Sequence, residues 1–350
     1  MAAEFNFSND FLAAQRKLGD SPADDFINRC FADSDLKKGL QTWLSQLNVN
    51  QDLDQIPHQF NQEDFLQNGF KLPEWADPKV MQAGSAFFVL HAEQIMQLLG
   101  LLSLPYCYAA ADGAMVLYQS ERLRNDVEKR LIDTAEFIWD VMAPSAFTDT
   151  GKGFSSLLKI RLTHAAARYY TTFNSTWDFT LGVPINQEDM AGTNLSFSLI
   201  VIRGLRKLGL TISYNEQQSF LHLWNVIGYL LGLKEELIPK TGKSANALEL
   251  AIRKRHFRTS VQGRELTKIL CDFLASASPE NISPKDTFQL MRHLLEDEVS
   301  DILNIPYFKV PGYLPYVLKV ATNLPVNNRS AVQVLYQQKY SAFKKQNIRR

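Results

Sequence analysis

The chain has 350 residues, of which 45% are hydrophobic and 21% are charged, an ordinary composition for a folded protein with a sizeable core. Lysine plus arginine and aspartate plus glutamate both total 37, so the formal net charge is zero and no basic excess is available to neutralise the phosphates of a nucleic acid. The three cysteines, Cys30, Cys107 and Cys271, lie far apart in the sequence, which indicates reduced thiols and excludes a zinc motif.

Residues 1–75 are predicted to form an N-terminal helical extension packed on a main body of residues 76–350. The first 17 residues contain no basic segment followed by an apolar run, so we expect no secretory signal and a cytoplasmic protein. Ser21 followed by Pro22 is typical of a helix start, with Ser21 as the predicted N-cap.

The main body reads as a series of long helices. The most apolar stretch, residues 86–105, contains a histidine, a glutamate and two glutamines, which favours a buried helix over a membrane-spanning one. The alternation typical of strands is not sustained anywhere in the sequence, so the fold is predicted to be all-α. The predicted helices cover residues 80–102, 104–119, 125–142, 153–170, 187–208, 214–231, 247–275, 284–296 and 331–346.

The helix predicted over residues 153–170 changes character along its core-facing stripe. Its first half is apolar, whereas its second half places Arg161, His164 and Arg168 on the same face. A buried guanidinium without a partner costs on the order of several kcal/mol, so this face needs an anionic partner in the interior. A haem fits these residues, because its iron binds a neutral imidazole and its propionates bind arginines.

Each of these residues also has a plainer interpretation. His164 could be a hydrogen-bonded core histidine, and Arg161 and Arg168 could form salt bridges with carboxylates of neighbouring helices. For each arginine taken singly, both interpretations remain open. For His164 the two flanking arginines favour the role of iron ligand, since buried arginines without a partner are rare.

A second polar pair, Arg130 and Thr134, lies beside the apolar stripe of the helix predicted over residues 125–142. The alternative for Arg130 is a partly exposed side chain paired with a carboxylate. That alternative weakens if the helix of His164 also buries arginines, because two converging cationic faces imply a shared anionic cavity.

The basic run of residues 253–258 contains His256. We expect this run to form a solvated helix face, as most charge runs do. An acidic partner or a lipid surface is the alternative.

The polar face of the helix predicted over residues 153–170 resembles the Arg, His and Arg signature of the latex-clearing (rubber oxygenase) proteins and the related MpaB-type oxygenases. The matching element is the Arg-x-x-His-x-x-x-Arg sequence that begins at Arg161. Arg130 and Thr134 lie upstream of it at the spacing where the family has an Arg and a Thr near its haem. Two later stretches, PINQED at residues 184–189 and WNVIGYLLG at residues 224–232, are also similar.

The resemblance covers roughly residues 84–237 and implies a globin-like helical core around a b-type haem, with extra peripheral helices. It implies that His164 is the proximal iron ligand, and characterised members of the family cleave a carbon–carbon double bond of an isoprenoid chain with dioxygen. We therefore expect a haem b-dependent oxygenase with an apolar, isoprenoid-like substrate. A haem-binding sensor or carrier without turnover, and a helical interaction protein without a cofactor, are the alternatives.

One position departs from the family pattern. In some rubber oxygenases the residue just before this threonine is a lysine, which is able to cap the distal iron position. This chain has Asp133 there, so capping by a lysine from that position is not available. An aspartate there could instead order a distal water. The acidic residue proposed as a catalytic base in some family members is not placed by the sequence, and Asp112, Glu121 and Asp133 are all candidates.

Overall fold

The computed structural model describes residues 7–68, 70–119, 127–173, 177–277, 283–308 and 329–348. Within these ranges the regular structure is helical, and the one β-type pairing is an isolated antiparallel bridge between Ala110 and Phe257. The all-α prediction is therefore confirmed. The α-helices, numbered in chain order, are α1 (Asn9–Gln15), α2 (Ser21–Ala32), α3 (Ser34–Gln46), α4 (Asp64–Asn68), α5 (Pro78–Leu90), α6 (Ala92–Leu98), α7 (Leu104–Ala109), α8 (Ala111–Gln119), α9 (Val127–Met142), α10 (Gly153–Phe173), α11 (Gln187–Phe197), α12 (Leu199–Lys207), α13 (Tyr214–Leu230), α14 (Gly242–His256), α15 (Val261–Ala277), α16 (Pro284–Ile302) and α17 (Arg329–Ile348).

Several of the long helices predicted from the sequence are interrupted. The prediction of a single helix over residues 80–102 is wrong, because α5 and α6 separate at His91. The backbone of His91 (φ −105°, ψ 18°) leaves the helical region. The helical run Ala92–Ala109 that follows is turned by 81° from α5. Helices α11 and α12 separate at Ser198, whose hydroxyl donates a 2.7 Å hydrogen bond to the carbonyl of Asn194. Such a bond to the preceding turn bends a helix.

Helix ends follow the sequence signals closely. Gly209 and Gly232 come just after α12 and α13, where glycine is a typical stop signal, and both have positive φ, at 86° and 92°. The predicted N-cap of α2 is wrong by one residue, because Ser21 already lies in the helix and Asp20 takes the capping position.

In the described ranges, no single helix combines the length and the apolar character needed to cross a membrane. The bent pair formed by Pro78–Leu90 and Ala92–Ala109 meets that requirement by length and composition only.

Helix α10 contributes to two apolar clusters. Leu157 belongs to the main core, which α5, α11, α12 and α13 also help to form. Leu158, Leu162 and Ala165 belong to a second cluster, whose other members come from residues 23–66 of the N-terminal segment. The N-terminal segment therefore covers one side of the helix that carries His164.

Candidate functional site

His164 lies in α10 with a half-buried side chain, and its Nδ1 atom is buried without a hydrogen-bond partner in the part of the chain that the structure describes. Burial, followed by the positive charges of Arg168 and Arg130, lowers the pKa of His164 to about 4. The imidazole is therefore neutral at pH 7, which is the form that binds a metal.

Arg130 lies in α9, which packs on α10, and its positive charge acts on His164. Its Nη1 atom is buried without a hydrogen-bond partner, and no carboxylate among the described residues pairs with its guanidinium. Burial lowers the pKa of Arg130 even though Tyr108 and Cys107 act in the opposite direction. The carboxylate partner considered as an alternative from the sequence is thus not found within these ranges.

Thr134 lies one turn further along α9. Its hydroxyl donates a 2.8 Å hydrogen bond to the carbonyl of Arg130, so the oxygen lone pairs remain available as acceptors.

Two of the three guanidinium nitrogens of Arg168 have partners. Its Nε lies 2.6 Å from Oδ1 of Asp24, and its Nη1 donates a 3.2 Å hydrogen bond to the carbonyl of Ile185. Its Nη2 atom is buried and has no partner among the residues that the structure describes. The side chain is thus held firmly while one nitrogen stays free.

Arg161 has a partner for every guanidinium nitrogen. Its Nε and Nη2 donate to the two carboxylate oxygens of Asp20 at 2.6 and 2.8 Å, and its Nη1 donates to the carbonyl of Leu230 at 3.3 Å. The guanidinium also stacks on the ring of Phe65, 4.8 Å from the ring centre. Of the two interpretations left open for Arg161, the salt bridge is the one that the structure contains.

Arg130, His164 and Arg168 therefore each have a buried nitrogen atom without a partner among the described residues, and the positive charges of both arginines act on His164. Buried polar groups without a partner are rare in folded proteins, and a buried cation without a counter-ion is strongly unfavourable. A haem fits this set: the neutral imidazole suits the iron, the guanidinium of Arg168 suits a propionate, and Arg130 adds a second buried positive charge. Arg161 lacks a free nitrogen for the same purpose.

The three candidate bases differ in their surroundings. Asp133 is largely exposed and pairs with Lys129 at 3.4 Å, so it lies on the outer side of α9. Asp112 pairs with Arg258 and lies 3.4 Å from Nδ1 of His256. Glu121 lies outside the described residues.

A buried ionic cluster lies at the start of α11. Glu188 is fully buried and lies 2.7 Å from Nε of Arg255 and 3.0 Å from Nε2 of His256, while Asp189 pairs with Arg16 at 2.8 Å. His256 is only 4% exposed. The prediction of a solvated face is wrong at this residue, because the end of α14 packs on α11 and His256 lies between two carboxylates of the same chain, those of Asp112 and Glu188.

The charge of His256 is expected to make stability depend on pH. Burial alone lowers the pKa of His256, but Asp112 and Glu188 outweigh it and raise the pKa. Protonated His256 therefore stabilises the fold fully below its unfolded pKa of about 6.5, and this contribution is lost as the pH rises through the raised pKa. We expect the stability difference between the wild type and His256→Gln to be larger at about pH 6 than at about pH 8.5, with a slope of at most about 1.4 kcal/mol per pH unit.

Urea unfolding of both proteins at the two pH values measures this difference. An equal difference at both pH values would show that folding leaves the pKa of His256 unchanged, and a smaller difference at pH 6 would show that the imidazole stays neutral between the carboxylates.

Comparison with known proteins defines the class of protein. Residues 79–313 match the family model described as "ER-bound oxygenase mpaB/B'/Rubber oxygenase, catalytic domain", and the chain belongs to this family. The resemblance seen in the sequence is thereby confirmed, and the match extends beyond residue 237, where the motifs end. The first 78 residues, including Asp20 and Asp24, lie outside the family model.

Two particular relatives are similar to this chain. The Rubber oxygenase of Streptomyces sp. (strain K30) is 26% identical over 245 residues, which cover 69% of this chain and 60% of the length of that relative. A solved structure of a latex clearing protein in the closed state superposes with a TM-score of 0.77 at 22% identity, over 92% of this chain and 91% of that one. The second likeness establishes the helical fold.

Proposed function

We propose that this protein is a haem b-dependent oxygenase that uses dioxygen to cleave a carbon–carbon double bond in an apolar, isoprenoid-like substrate. The proposal is carried by His164 and Arg168, which lie one turn apart on the same face of α10 and each have a buried nitrogen without a partner among the described residues. Membership of the rubber oxygenase family supports the same reaction class.

His164 would bind the iron, and the free Nη2 of Arg168 would bind a propionate. Bound haem supplies a redox-active iron centre for reaction with dioxygen, which amino-acid side chains alone do not offer. Arg161 has no nitrogen free for a propionate, and its salt bridge with Asp20 holds α10 against the N-terminal segment.

Arg130 and Thr134 are the proposed catalytic pair. The uncompensated guanidinium of Arg130 stabilises negative charge that develops next to it in the interior, where such an interaction is stronger than in water. The hydroxyl of Thr134 donates its proton to the carbonyl of Arg130. The Thr134 oxygen therefore accepts a hydrogen bond from a bound group that carries a proton, and so orients that group. Both side chains are half-buried, which limits the access of water to the reacting groups.

The proposal is tested by turnover of an isoprenoid alkene. The protein loaded with haem b is incubated with squalene and, separately, with cis-polyisoprene, while oxygen consumption is recorded and carbonyl products are identified by mass spectrometry. We expect oxygen uptake and carbonyl-ended fragments with the wild type and with the exposed control Asp133→Asn, and neither with His164→Ala. A wild type that binds haem but yields neither would contradict the oxygenase and favour the haem-binding sensor or carrier.

A further inference from the structure

We propose that Asp24, in the N-terminal segment, is a positioning residue for the cofactor site. It acts through Arg168, whose side chain it orients on the face of α10 that also carries His164. This inference rests on the proposed function, since it concerns how the chain holds an anionic cofactor. It extends the site to a segment outside residues 79–313, which match the catalytic-domain model.

Both oxygens of the Asp24 carboxylate are engaged. Oδ1 accepts the 2.6 Å hydrogen bond from Nε of Arg168, and Oδ2 accepts a 3.0 Å hydrogen bond from the backbone N–H of Asp20. Arg168 is held a second time by the carbonyl of Ile185. Because a guanidinium is planar and rigid, these two contacts fix the direction of the remaining nitrogen.

The backbone next to this pair leaves no room for it to move. A Cβ atom placed on Gly19 would lie 2.6 Å from Oδ2 of Asp24 and 3.3 Å from Cδ of Arg168. The bare backbone of Gly19 therefore packs directly on the salt bridge and restricts the movement of both side chains on that side.

A second salt bridge of the same kind, between Asp20 and Arg161, has no free nitrogen. It joins the same two segments, since Asp20 directly precedes α2 and Arg161 lies two turns before Arg168 in α10. It also packs against a glycine, because a Cβ atom on Gly232 would lie 2.3 Å from Oδ2 of Asp20. The two pairs share their chemistry and their location between segments, so Asp20 is a matched control for Asp24.

The difference between the two pairs indicates different roles. A salt bridge that only joins two segments stabilises the fold most when every guanidinium nitrogen has a hydrogen-bond partner, as in Arg161. Arg168 instead keeps one buried nitrogen, Nη2, without a partner among the described residues, and it follows His164 by one turn on the same face of α10. Its unused hydrogen-bonding capacity therefore lies on the helix face that carries the proposed iron ligand.

The test measures haem affinity and stability in the same variants. Full-length apoproteins of the wild type, Asp24→Asn, Asp24→Ala, Asp20→Asn and Asp20→Ala are titrated with ferric haem b, and the Kd and the position of the Soret band are recorded. Urea unfolding of each apoprotein gives its stability. The asparagine variants keep the side-chain shape and stay folded if an alanine variant does not.

We expect the Asp24 variants to raise the Kd by about tenfold or more and to shift the Soret band, as the loss of an outer-shell partner does at other metal sites. The Asp20 variants are expected to lose at least as much stability while their Kd stays within about threefold of the wild type, because Arg161 has no nitrogen free for the cofactor.

Three outcomes overturn the inference in distinguishable ways. Equal increases in Kd for both sets of variants, in proportion to their loss of stability, would leave Asp24 a purely structural residue. An unchanged Kd in Asp24→Ala would do the same. A wild type that does not bind ferric haem would overturn the proposed function, and this inference with it.

Discussion

Replacing Asp20 with alanine is expected to lower the free energy of unfolding of the apoprotein by about 3–5 kcal/mol, the range for removal of one partner from a buried ion pair. Asp20 is 3% exposed and accepts two hydrogen bonds from Arg161, so its loss leaves a buried guanidinium without its counter-ion. The carbonyl of Leu230 and the ring of Phe65 remain as neighbours, but neither carries a charge.

The double variant Asp20→Ala, Arg161→Met is the control for this prediction. It removes both charges, so we expect it to regain most of the stability that the single variant loses, because no uncompensated charge stays buried. A single variant that loses less than about 1 kcal/mol, within the range of an exposed pair, would contradict the buried salt bridge.

Replacing Arg130 with methionine is expected to have opposite effects on the apoprotein and on cofactor binding. Nη1 of Arg130 is buried without a partner in the described residues, so removing the guanidinium should raise the free energy of unfolding of the apoprotein by roughly 1–3 kcal/mol, the penalty of an unsatisfied buried group. The same change removes a cationic partner of the haem and should raise the Kd for ferric haem b by about tenfold.

The exposed neighbour Lys129 gives the matched control. Its side chain is 67% exposed and pairs with Asp133 across one helical turn, so Lys129→Met should change neither quantity appreciably. Calorimetry of the apoproteins and Soret titrations supply the two measurements. An Arg130→Met apoprotein that is less stable than the wild type would mean that the guanidinium has a favourable partner within the protein.

Hydrophobic periodicity predicted where the helical segments lie, but four of the predicted helices are interrupted in the structure, at His91, at Ala110, at Ser198 and between α14 and α15. It did not predict the interruptions at His91 and Ser198. The apolar pattern continues across both breaks, and the break at Ser198 coincides with one side chain–backbone hydrogen bond whose strength is set by the surroundings. Tertiary packing determines where these helices break, and a pattern of apolar residues does not show the position of the breaks.

The spacing of Arg161, His164 and Arg168 likewise predicted that these side chains share one face of a helix. It could not predict their partners, because Asp20 and Asp24 are 141 and 144 residues away from the arginines that they bind. The two aspartates lie four residues apart, as they must to face one helix together, but many exposed pairs have the same spacing. His256 was misjudged for the same reason, since the carboxylates that bury it come from distant segments.

We propose that His164, together with the buried guanidinium groups of Arg130 and Arg168, binds one haem b per chain. Titration of the wild-type apoprotein and of His164→Ala with ferric haem b, followed at the Soret band, tests it most directly. We predict that the wild type saturates at one haem per chain with a sharp Soret band, and that His164→Ala loses this band or gives a clearly altered spectrum. A wild type that shows no saturable binding, or a variant whose spectrum and affinity match those of the wild type, would contradict the claim.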